Sequence, residues 1–358
     1  MTERFLPLLA LTRGNIVESI HYGAIAVVNT QGKLLYSYGD PHTVAFLRSS
    51  AKPFQALPFF ERGGPGVFNL TQKEQALICA SHEGSDEHVL TVESIQAKTG
   101  IKESDLQCGI HMPGDVVAYK ALIARGEAPT PNRNNCSGKH SGMLAHAKMR
   151  KLPLDTYLEI SHPIQQDILT TFAEMCDYPK DKVEVGIDGC SAPNFAVPLY
   201  NSALAFARLC DPQNMQAART KACHEITSAM TSYPEMISGY NEFDCRLMQT
   251  GKGKFVCKRG AEGFQAIGLM PGVLGAGSPG IGITFKVADG DPLFRTLNIE
   301  PLNRVRPAVT LEILRQIGAL SVPQMKELAR FGPALPIKNH RGIVVGESRP
   351  AFTLNKVG

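Results

Sequence analysis

The chain contains 358 residues, of which 43% are hydrophobic and 20% are charged. This balance is typical of a globular protein, and the length is sufficient for one large domain or two interleaved subdomains. The formal net charge of +4 comes without a block of basic residues, and tryptophan is absent. The composition therefore gives no support to nucleic-acid binding.

The composition also argues against a membrane or secreted protein. No apolar segment is long enough to cross a bilayer. The short apolar stretch near the N-terminus is interrupted by Pro7, which predicts a β-strand rather than a signal peptide. The nine cysteines are odd in number and irregularly spaced, which argues against a disulfide framework. We therefore expect a cytoplasmic protein with reduced thiols.

Strands are predicted at both ends of the chain, and helices in the middle. The first strand-like segments are 6–12 and 25–38, with a turn signal at 29–32. Helical patterns follow at 71–79, 86–98, 116–125, 139–150, 163–176, 197–210 and 214–230. Strand patterns return at 254–257, 264–270, 281–287 and 342–345, with helices near 309–317 and 323–331 before the last strand. This order predicts an α+β fold in a single domain, 1–358, whose sheet is built from both termini around a helical insertion at roughly 70–235.

The segment Leu-Arg-Ser-Ser-Ala-Lys-Pro at 47–53 is the most informative motif. A serine hydroxyl becomes a nucleophile when a base takes its proton, and on a helix Lys52 is within reach of Ser49. If a helix begins here, Pro53 occupies its first turn, and the positive helix end lowers the pKa of Lys52. The alternative is a serine that caps the helix beside a solvated lysine.

Further segments are too polar and too rich in glycine to be explained by packing alone. The sequence Ser-His-Glu-Gly at 81–84 lies at an expected helix end, where Gly84 is alternatively a C-cap. The loop at 134–142 leads into a helix N-terminus, which suits an anion or a carboxylate. Asp188 follows a strand-like segment at 183–187, and functional side chains often lie at such strand ends.

A second lysine motif completes a known arrangement. Lys258 begins a Lys-x-Gly sequence between two strand-like segments, at an expected sheet edge. A helical Ser-x-x-Lys followed much later by Lys-x-Gly on a strand is the arrangement of serine β-lactamases and penicillin-binding proteins. Their Ser-Asp-Asn element is missing here. The residues alone therefore predict a serine acyl hydrolase with lysine bases.

A longer series of motifs resembles the L-asparaginase II family of the Rhizobium etli type. The motifs run nearly end to end and comprise RGNIVES, RSSAKPFQ, CASHEGSDEH, NNCSGKHSGML, GIDGCSAPNFAVPL, KRGAEG and NHRGIVVGESRP. The resemblance implies a serine β-lactamase-like fold, commonly a homodimer, and the hydrolysis of L-asparagine to L-aspartate and ammonia.

The resemblance also implies roles for individual residues. Carried over motif by motif, it gives two serine–lysine tandems, Ser49 with Lys52 and Ser81 with Lys258. A zinc site made of two cysteines and a lysine is implied as well, and its residues are Cys136, Lys139 and Cys190.

Two points about these assignments stay open. Lys252 and Lys254 are the alternatives for the second catalytic lysine, because both lie near it in the sequence. The spacing of Cys136 and Cys190 is not the Cys-x-x-Cys of ordinary zinc sites and by itself predicts two reduced cysteines without a metal. The zinc, which would tune substrate affinity, is therefore an implication of the resemblance alone.

The expected substrate, a zwitterionic amino acid, needs charged partners. Arg48 is the nearest candidate for its α-carboxylate, and Asp188 or Glu83 for its α-ammonium group. The alternative is that Arg48 and Glu83 pair on a solvated surface. Which of Ser49 and Ser81 is the covalent nucleophile is also left open.

Two other classes of function are compatible with the sequence. One is a different serine amidohydrolase, peptidase or esterase on the same scaffold. The other is a metal-binding or regulatory protein in which the serines only cap helices; it predicts no release of ammonia. The matched motifs favour the asparaginase.

Overall fold

The computed structural model describes residues 4–290 and 305–357. They divide into two compact units. The first unit draws on residues 4–47, 197–211, 257–290 and 305–357, and the second on 48–196 and 212–256. The predicted helical insertion at roughly 70–235 overlaps the second unit, except that 197–211 belongs to the first. The organisation as a single domain stays a prediction.

The described residues form twelve β-strands and thirteen α-helices. The strands are β1 (Leu6–Arg13), β2 (Ile16–Asn29), β3 (Leu34–Tyr38), β4 (Val44–Phe46), β5 (Glu184–Ile187), β6 (Pro193–Pro198), β7 (Phe255–Arg259), β8 (Phe264–Leu269), β9 (Ile281–Val287), β10 (Leu335–Lys338), β11 (Val344–Pro350) and β12 (Asn355–Lys356). The helices are α1 (Lys52–Glu61), α2 (Gly64–Val67), α3 (Gln72–Ile78), α4 (Asp86–Thr99), α5 (Val116–Arg125), α6 (Ser137–Met149), α7 (Pro163–Cys176), α8 (Leu199–Cys210), α9 (Ala217–Ser232), α10 (Pro234–Ile237), α11 (Phe243–Gly251), α12 (Val305–Gln316) and α13 (Val322–Glu327).

Strands from both ends of the chain share one sheet in the first unit. Its order is β10-β11-β1-β2-β9-β8-β7, with β3 paired to β2 and β12 paired to β3. The antiparallel register places Ala10 opposite Arg349 between β1 and β11, and Ala26 opposite Thr284 between β2 and β9. The sequence predicted a protein of mixed helix and sheet, with one sheet built from the two termini. The α+β class is confirmed.

The second half of β2 lies at the centre of this unit. Residues 24–28 are an uninterrupted apolar run, and each of them is 0% exposed. Helix α8 packs against β2 and β9. A Cβ atom at Gly282 of β9 would lie 1.7 Å from the carbonyl oxygen of Ala203 in α8. Glycine is therefore needed at 282, because any side chain there would push the helix off the sheet.

Helix α1 organises the second unit. It contacts α6, α7 and α9, and the rings of Phe54 and Phe59 are almost fully buried. Pro53 lies in its first turn, where the missing backbone N–H has no helical partner to lose. Because α1 is buried along its length, the side chains at its start are held by packing.

Local signals set several helix boundaries as expected. The Thr71 hydroxyl accepts the backbone N–H of Glu74 in the predicted capping box of α3. Helix α5 begins at Val116, after an Asp115 cap, and ends before Gly126 in the left-handed conformation. Within the described residues, no helix is both long enough and apolar enough to cross a membrane.

Other boundaries differ from the prediction. Residues 193–198, of which 197 and 198 were expected to begin a helix, form strand β6, and α8 begins only at Leu199. The reason is local, because a residue that precedes proline, here Val197, is disfavoured in the helical conformation. Helix α6 begins at Ser137, two residues before the predicted start.

Candidate active site

The Ser-x-x-Lys motif lies at the junction of two helical segments. Arg48–Ala51 is a turn of 3-10 helix, and Lys52 is the first residue of α1. The N-cap position of α1 is Ala51, and no side chain caps the helix. The alternative in which Ser49 caps this helix is therefore wrong. Ser49 is half-buried.

The Lys52 amine is buried against the loop that follows α3. Lys52 is 1% exposed, so it is not a solvated lysine. Its Nζ donates to Ser81 Oγ at 2.8 Å, to the carbonyl oxygen of Ala80, and to that of Asn135 at 3.3 Å. The structure thus joins Lys52 to Ser81, a contact that sequence spacing did not predict. The catalytic pairing of Ser49 with Lys52 stays a prediction.

Burial is the main cause of a lowered pKa at Lys52. Desolvation lowers the pKa of Lys52, and the ammonium group of Lys139 lowers it further, whereas the sulfurs of Cys136 and Cys190 raise it; the balance lies below the value of an exposed lysine. A lower pKa increases the fraction of neutral amine near neutral pH. Lys52 is thereby suited to accept a proton from a hydroxyl.

This shift leads to a prediction for the pH profile. We expect kcat/KM to rise with pH along a limb whose midpoint lies below the roughly 10.4 of an exposed lysine, because the base must first lose its proton. The measurement is kcat/KM across the pH range at constant ionic strength. A profile that is flat from about pH 6 to about pH 9 would contradict a titrating lysine base.

His82, next to Ser81, is a structural residue in this loop. Its Nδ1 accepts the backbone N–H of Gly84 at 3.1 Å, so its Nε2 carries the proton and donates to Ser137 Oγ at 2.9 Å. Burial, with a smaller effect of His88, holds the pKa of His82 well below its usual value. The neutral imidazole is hydrogen bonded at both nitrogens, so it stabilises the loop and is not available as a base.

The helix that precedes Glu83 ends earlier than a C-cap at Gly84 would require. Helix α3 ends at Ile78 with Cys79 as its C-cap, so the proposed C-cap at Gly84 is wrong. Glu83 is half-buried, and its side chain fills the space beside two glycines. A Cβ atom at Gly114 would lie 1.9 Å from Glu83 Oε2, and one at Gly239 would lie 2.7 Å from Glu83 Cγ.

Arg48 and Asp188 form an ion pair. Arg48 Nε donates to Asp188 Oδ1 at 2.8 Å, and the two side chains are 25% and 11% exposed. Burial raises the pKa of Asp188, but the cations of Lys139 and Arg48 outweigh it and lower that pKa below its usual value. The carboxylate is therefore charged at neutral pH. Arg48 pairs with Asp188 in the structure, and not with Glu83 as the alternative required.

The residues of the implied zinc site lie together. Lys139 Nζ donates to Cys190 Sγ at 2.9 Å, and the thiols of Cys136 and Cys190 share a hydrogen bond. None of the three residues is more than 4% exposed. Helix α6 supplies Lys139 and its N-cap Cys136, while the turn between β5 and β6 supplies Cys190. The start of α6 and one turn thus bring three donors together.

The charges in this cluster stabilise one another. The hydrogen bond from Cys190, and then the cations of Lys52 and Lys139, hold the pKa of Cys136 well below its usual value. Burial lowers the pKa of Lys139, but the sulfurs of Cys190 and Cys136 outweigh it and raise that pKa above its usual value. The hydrogen bond with Cys136, and then burial, raise the pKa of Cys190, so Cys136 is the thiolate of the cluster, Cys190 is a thiol, and Lys139 is the ammonium group beside them.

The donor set fits zinc, which is bound by thiolate sulfur and by neutral nitrogen. Among residues 4–290 and 305–357, no group of three or more His, Cys, Asp or Glu side chains is placed to hold a metal ion. The cluster has two cysteines, and the third donor is an amine. It fits a zinc ion only after Lys139 has lost its proton.

Lys258, the candidate second catalytic lysine, belongs to the first unit, whereas Ser81 belongs to the second. Lys258 lies on β7 at the end of the sheet order, is 0% exposed, and donates to the carbonyl oxygen of Arg259 at 3.1 Å. Lys252 and Lys254 are both exposed. The pairing of Ser81 with Lys258 stays a prediction.

Sequence reasoning missed two residues of this region, Asn194 and His140. Asn194 is 4% exposed and accepts the backbone N–H of Arg48 at 3.0 Å. His140 is 0% exposed, lies beside the thiol cluster, and its Nδ1 is 2.5 Å from the Tyr157 hydroxyl. Both are polar residues in motifs that carry the family resemblance, and this was the signal available in the sequence.

A model of the L-asparaginase II family matches residues 9–350 of the chain. The chain belongs to the L-asparaginase II family. The matched range contains all the site residues described above. As a member of this family, the chain is an amidohydrolase.

Solved structures similar to this asparaginase II chain include two bacterial enzymes. One is a probable glutaminase from Bacillus subtilis complexed with 6-diazo-5-oxo-L-norleucine, at 12% identity and a TM-score of 0.38, covering 84% of this chain and 85% of that one. The other is a Bacillus glutaminase in the presence of 4.3 M NaCl, at 14% identity and a TM-score of 0.31, covering 75% and 84%. None of the curated proteins compared with the chain matches it in sequence.

Proposed function

We propose that this asparaginase II chain hydrolyses L-asparagine to L-aspartate and ammonia by serine nucleophilic catalysis with lysine bases. The observation that carries the proposal is Lys52, a buried lysine with a lowered pKa, hydrogen bonded to a serine hydroxyl at 2.8 Å. Family membership supplies the class of substrate. The runner-up is another serine amidohydrolase, peptidase or esterase on the same scaffold.

The first half of the reaction forms an ester. Ser49 Oγ attacks the side-chain carbonyl carbon of asparagine, and the neutral amine of Lys52 takes the hydroxyl proton. The C–N bond then breaks, and the amide nitrogen leaves as ammonia with the proton held by Lys52. Ser81 Oγ, hydrogen bonded to Lys52, is placed to pass this proton on. The product of this half is an aspartyl ester of Ser49.

The second half of the reaction repeats the proton transfers with water. Water attacks the ester carbonyl carbon, gives one proton to a neutral lysine, and releases aspartate as the Ser49 oxygen regains a proton. We propose Lys258 as the second lysine, because it is fully buried whereas Lys252 and Lys254 are exposed.

The Arg48–Asp188 ion pair suits the backbone groups of an amino acid. An α-carboxylate that binds Arg48 and an α-ammonium group that binds Asp188 would place a zwitterion across the two charges. Glu83 is the second candidate for the ammonium group. Because Arg48 and Asp188 are already paired, neither charge is left uncompensated before substrate binds.

We propose zinc as the ion of the cluster formed by Cys136, Lys139 and Cys190. The two thiolates and the neutral amine of Lys139 would hold it, and the donor types suit this metal. When bound, zinc would supply a fixed positive charge that tunes substrate affinity. Because Lys139 must lose its proton before it can bind the ion, we expect the zinc occupancy of the site to increase with pH.

The zinc proposal predicts a specific pattern in two variants. Cys136→Ala and Cys190→Ala are each expected to abolish zinc binding and to raise KM more than they lower kcat, since the proposed ion tunes affinity. Elemental analysis and asparagine titrations measure both effects. Cys223→Ala is the matched control, because Cys223 is fully buried on α9 and burial is the main cause that raises its pKa to about 12. Unchanged zinc content in both site variants would overturn the proposal.

We also propose that the protein is a homodimer, as its family resemblance implies, and that it is cytoplasmic, as its nine irregularly spaced cysteines indicate. Sedimentation of the purified protein across a range of concentrations tests the dimer. A species with the mass of one chain at all concentrations would contradict it.

The substrate class is tested by a panel of amides and esters. Ammonia release is measured with L-asparagine, L-glutamine and an asparaginyl peptide, alongside hydrolysis of a chromogenic β-lactam and a simple ester. The proposal expects the highest kcat/KM for asparagine. A higher kcat/KM for the peptide, the β-lactam or the ester would favour the runner-up.

A further inference from the structure

The residue directly before Ser49 has an unusual backbone conformation. Arg48 has a φ of +51°, in the left-handed region that side chains other than glycine rarely adopt. Such a conformation persists only where the surroundings hold it in place. The φ of residue 48 also fixes the direction in which the chain enters the turn that carries Ser49.

Two side chains from one hairpin hold Arg48. Its backbone N–H donates to Asn194 Oδ1 at 3.0 Å, and its guanidinium Nε donates to Asp188 Oδ1 at 2.8 Å. Asp188 follows strand β5, and Asn194 lies on β6 opposite Gly186 of β5. The hairpin thus contacts Arg48 at both its main chain and its side chain.

The two contacts differ in what they constrain. The contact with Asp188 restrains a long, flexible side chain and leaves the backbone torsions free. The contact with Asn194 restrains the backbone itself, because the amide N–H moves when φ of residue 48 changes. Asn194 is only 4% exposed, so its amide oxygen is fixed by packing and the bond is sheltered from water.

We propose that Asn194 is a positioning residue for Ser49. Its side-chain oxygen holds Arg48 in the left-handed conformation and thereby sets the direction of the Ser49 hydroxyl. The inference rests on the proposed function, in which Ser49 is the nucleophile. Without the oxygen at 194, the backbone at 48 relaxes to a negative φ and turns Ser49 away from its reactive position.

The test compares four proteins: the wild type, Asn194→Ala, Arg48→Gly and the double variant. Glycine adopts a positive φ without steric cost, so a chain with glycine at 48 has no strained conformation for Asn194 to hold. The readout is the rate at which a small neutral fluorophosphonate labels Ser49. In that reaction the serine oxygen bonds to phosphorus, and fluoride leaves as the hydroxyl proton goes to the base. The probe carries no carboxylate and does not need the Arg48 charge.

We expect Asn194→Ala to slow labelling of Ser49 by about tenfold in the arginine background, which corresponds to the cost of a left-handed residue. In the glycine background, we expect the same change to alter the rate by less than about twofold. Asn194→Asp keeps an oxygen acceptor and is expected to stay within about threefold of the wild type. An equal loss from Asn194→Ala in both backgrounds would overturn the proposal.

A crystal structure of Asn194→Ala tests the inference without any reaction. The expected result is a negative φ at Arg48 in an otherwise unchanged second unit. A φ that stays near +51° would overturn the proposal. Peptide mapping of the labelled protein separates the two proposals: a label on Ser81 alone contradicts Ser49 as nucleophile, while the φ of residue 48 still decides the role of Asn194.

Discussion

Ser49→Ala is expected to lower kcat for asparagine hydrolysis by at least about a thousandfold, because the alanine methyl group cannot form the ester intermediate. The fold should be intact, since Ser49 is half-buried and its side chain does not cap α1. Steady-state ammonia release measures the rate, and the melting temperature checks the fold.

Two comparison variants sharpen this prediction. Ser232→Ala, at an exposed position at the end of α9, should keep the wild-type rate. Ser81→Ala removes the hydroxyl that contacts Lys52 and reports on proton transfer. If Ser49→Ala kept more than about a tenth of the wild-type rate while Ser81→Ala did not, Ser81 would be the nucleophile.

Lys52→Met is expected to cost nearly as much as Ser49→Ala, because members of a serine–lysine tandem act as a unit. Methionine has a similar volume but cannot take a proton. The measurement is kcat for ammonia release. Lys148→Met, which changes an exposed lysine on α6, is the matched control and should leave kcat unchanged.

The same variant has a signature in stability. The pKa of Lys52 is lower in the folded protein than in the unfolded chain, so between these two values the unfolded chain binds more protons. The free energy of unfolding of the wild type should therefore rise with pH in that range, relative to Lys52→Met. Urea unfolding at about pH 7, about pH 8 and about pH 9 measures the difference. A difference that stays constant or falls with pH would contradict a neutral buried Lys52.

Much of the fold could be predicted because its signals are local. Helix α5 begins after an aspartate cap and ends before a glycine. Helix α7 begins at a proline and ends before a residue in the left-handed conformation. The strands of both termini showed the apolar patterns of a shared sheet. Strand β6 was missed because its apolar sequence also continues into α8, and only Pro198 separates the two elements.

The site could be predicted only in part, because its contacts join distant segments. Lys52 and Ser81 are 29 positions apart, and no sequence period relates them. The proximity of Cys136 to Cys190 was implied by the family resemblance and not by spacing. The left-handed Arg48 could not be predicted, because arginine disfavours that conformation and tertiary contacts with Asn194 and Asp188 impose it.

The central claim is that an activated serine at position 49 forms an ester with the substrate. The most direct measurement is intact-mass spectrometry of the enzyme quenched in acid during asparagine turnover, followed by peptide mapping. The account predicts a mass increase of one aspartyl group, carried by the peptide that contains Ser49 and absent from Ser49→Ala. An aspartyl group on Ser81, or ammonia release with no acyl-enzyme under any quench condition, would contradict it.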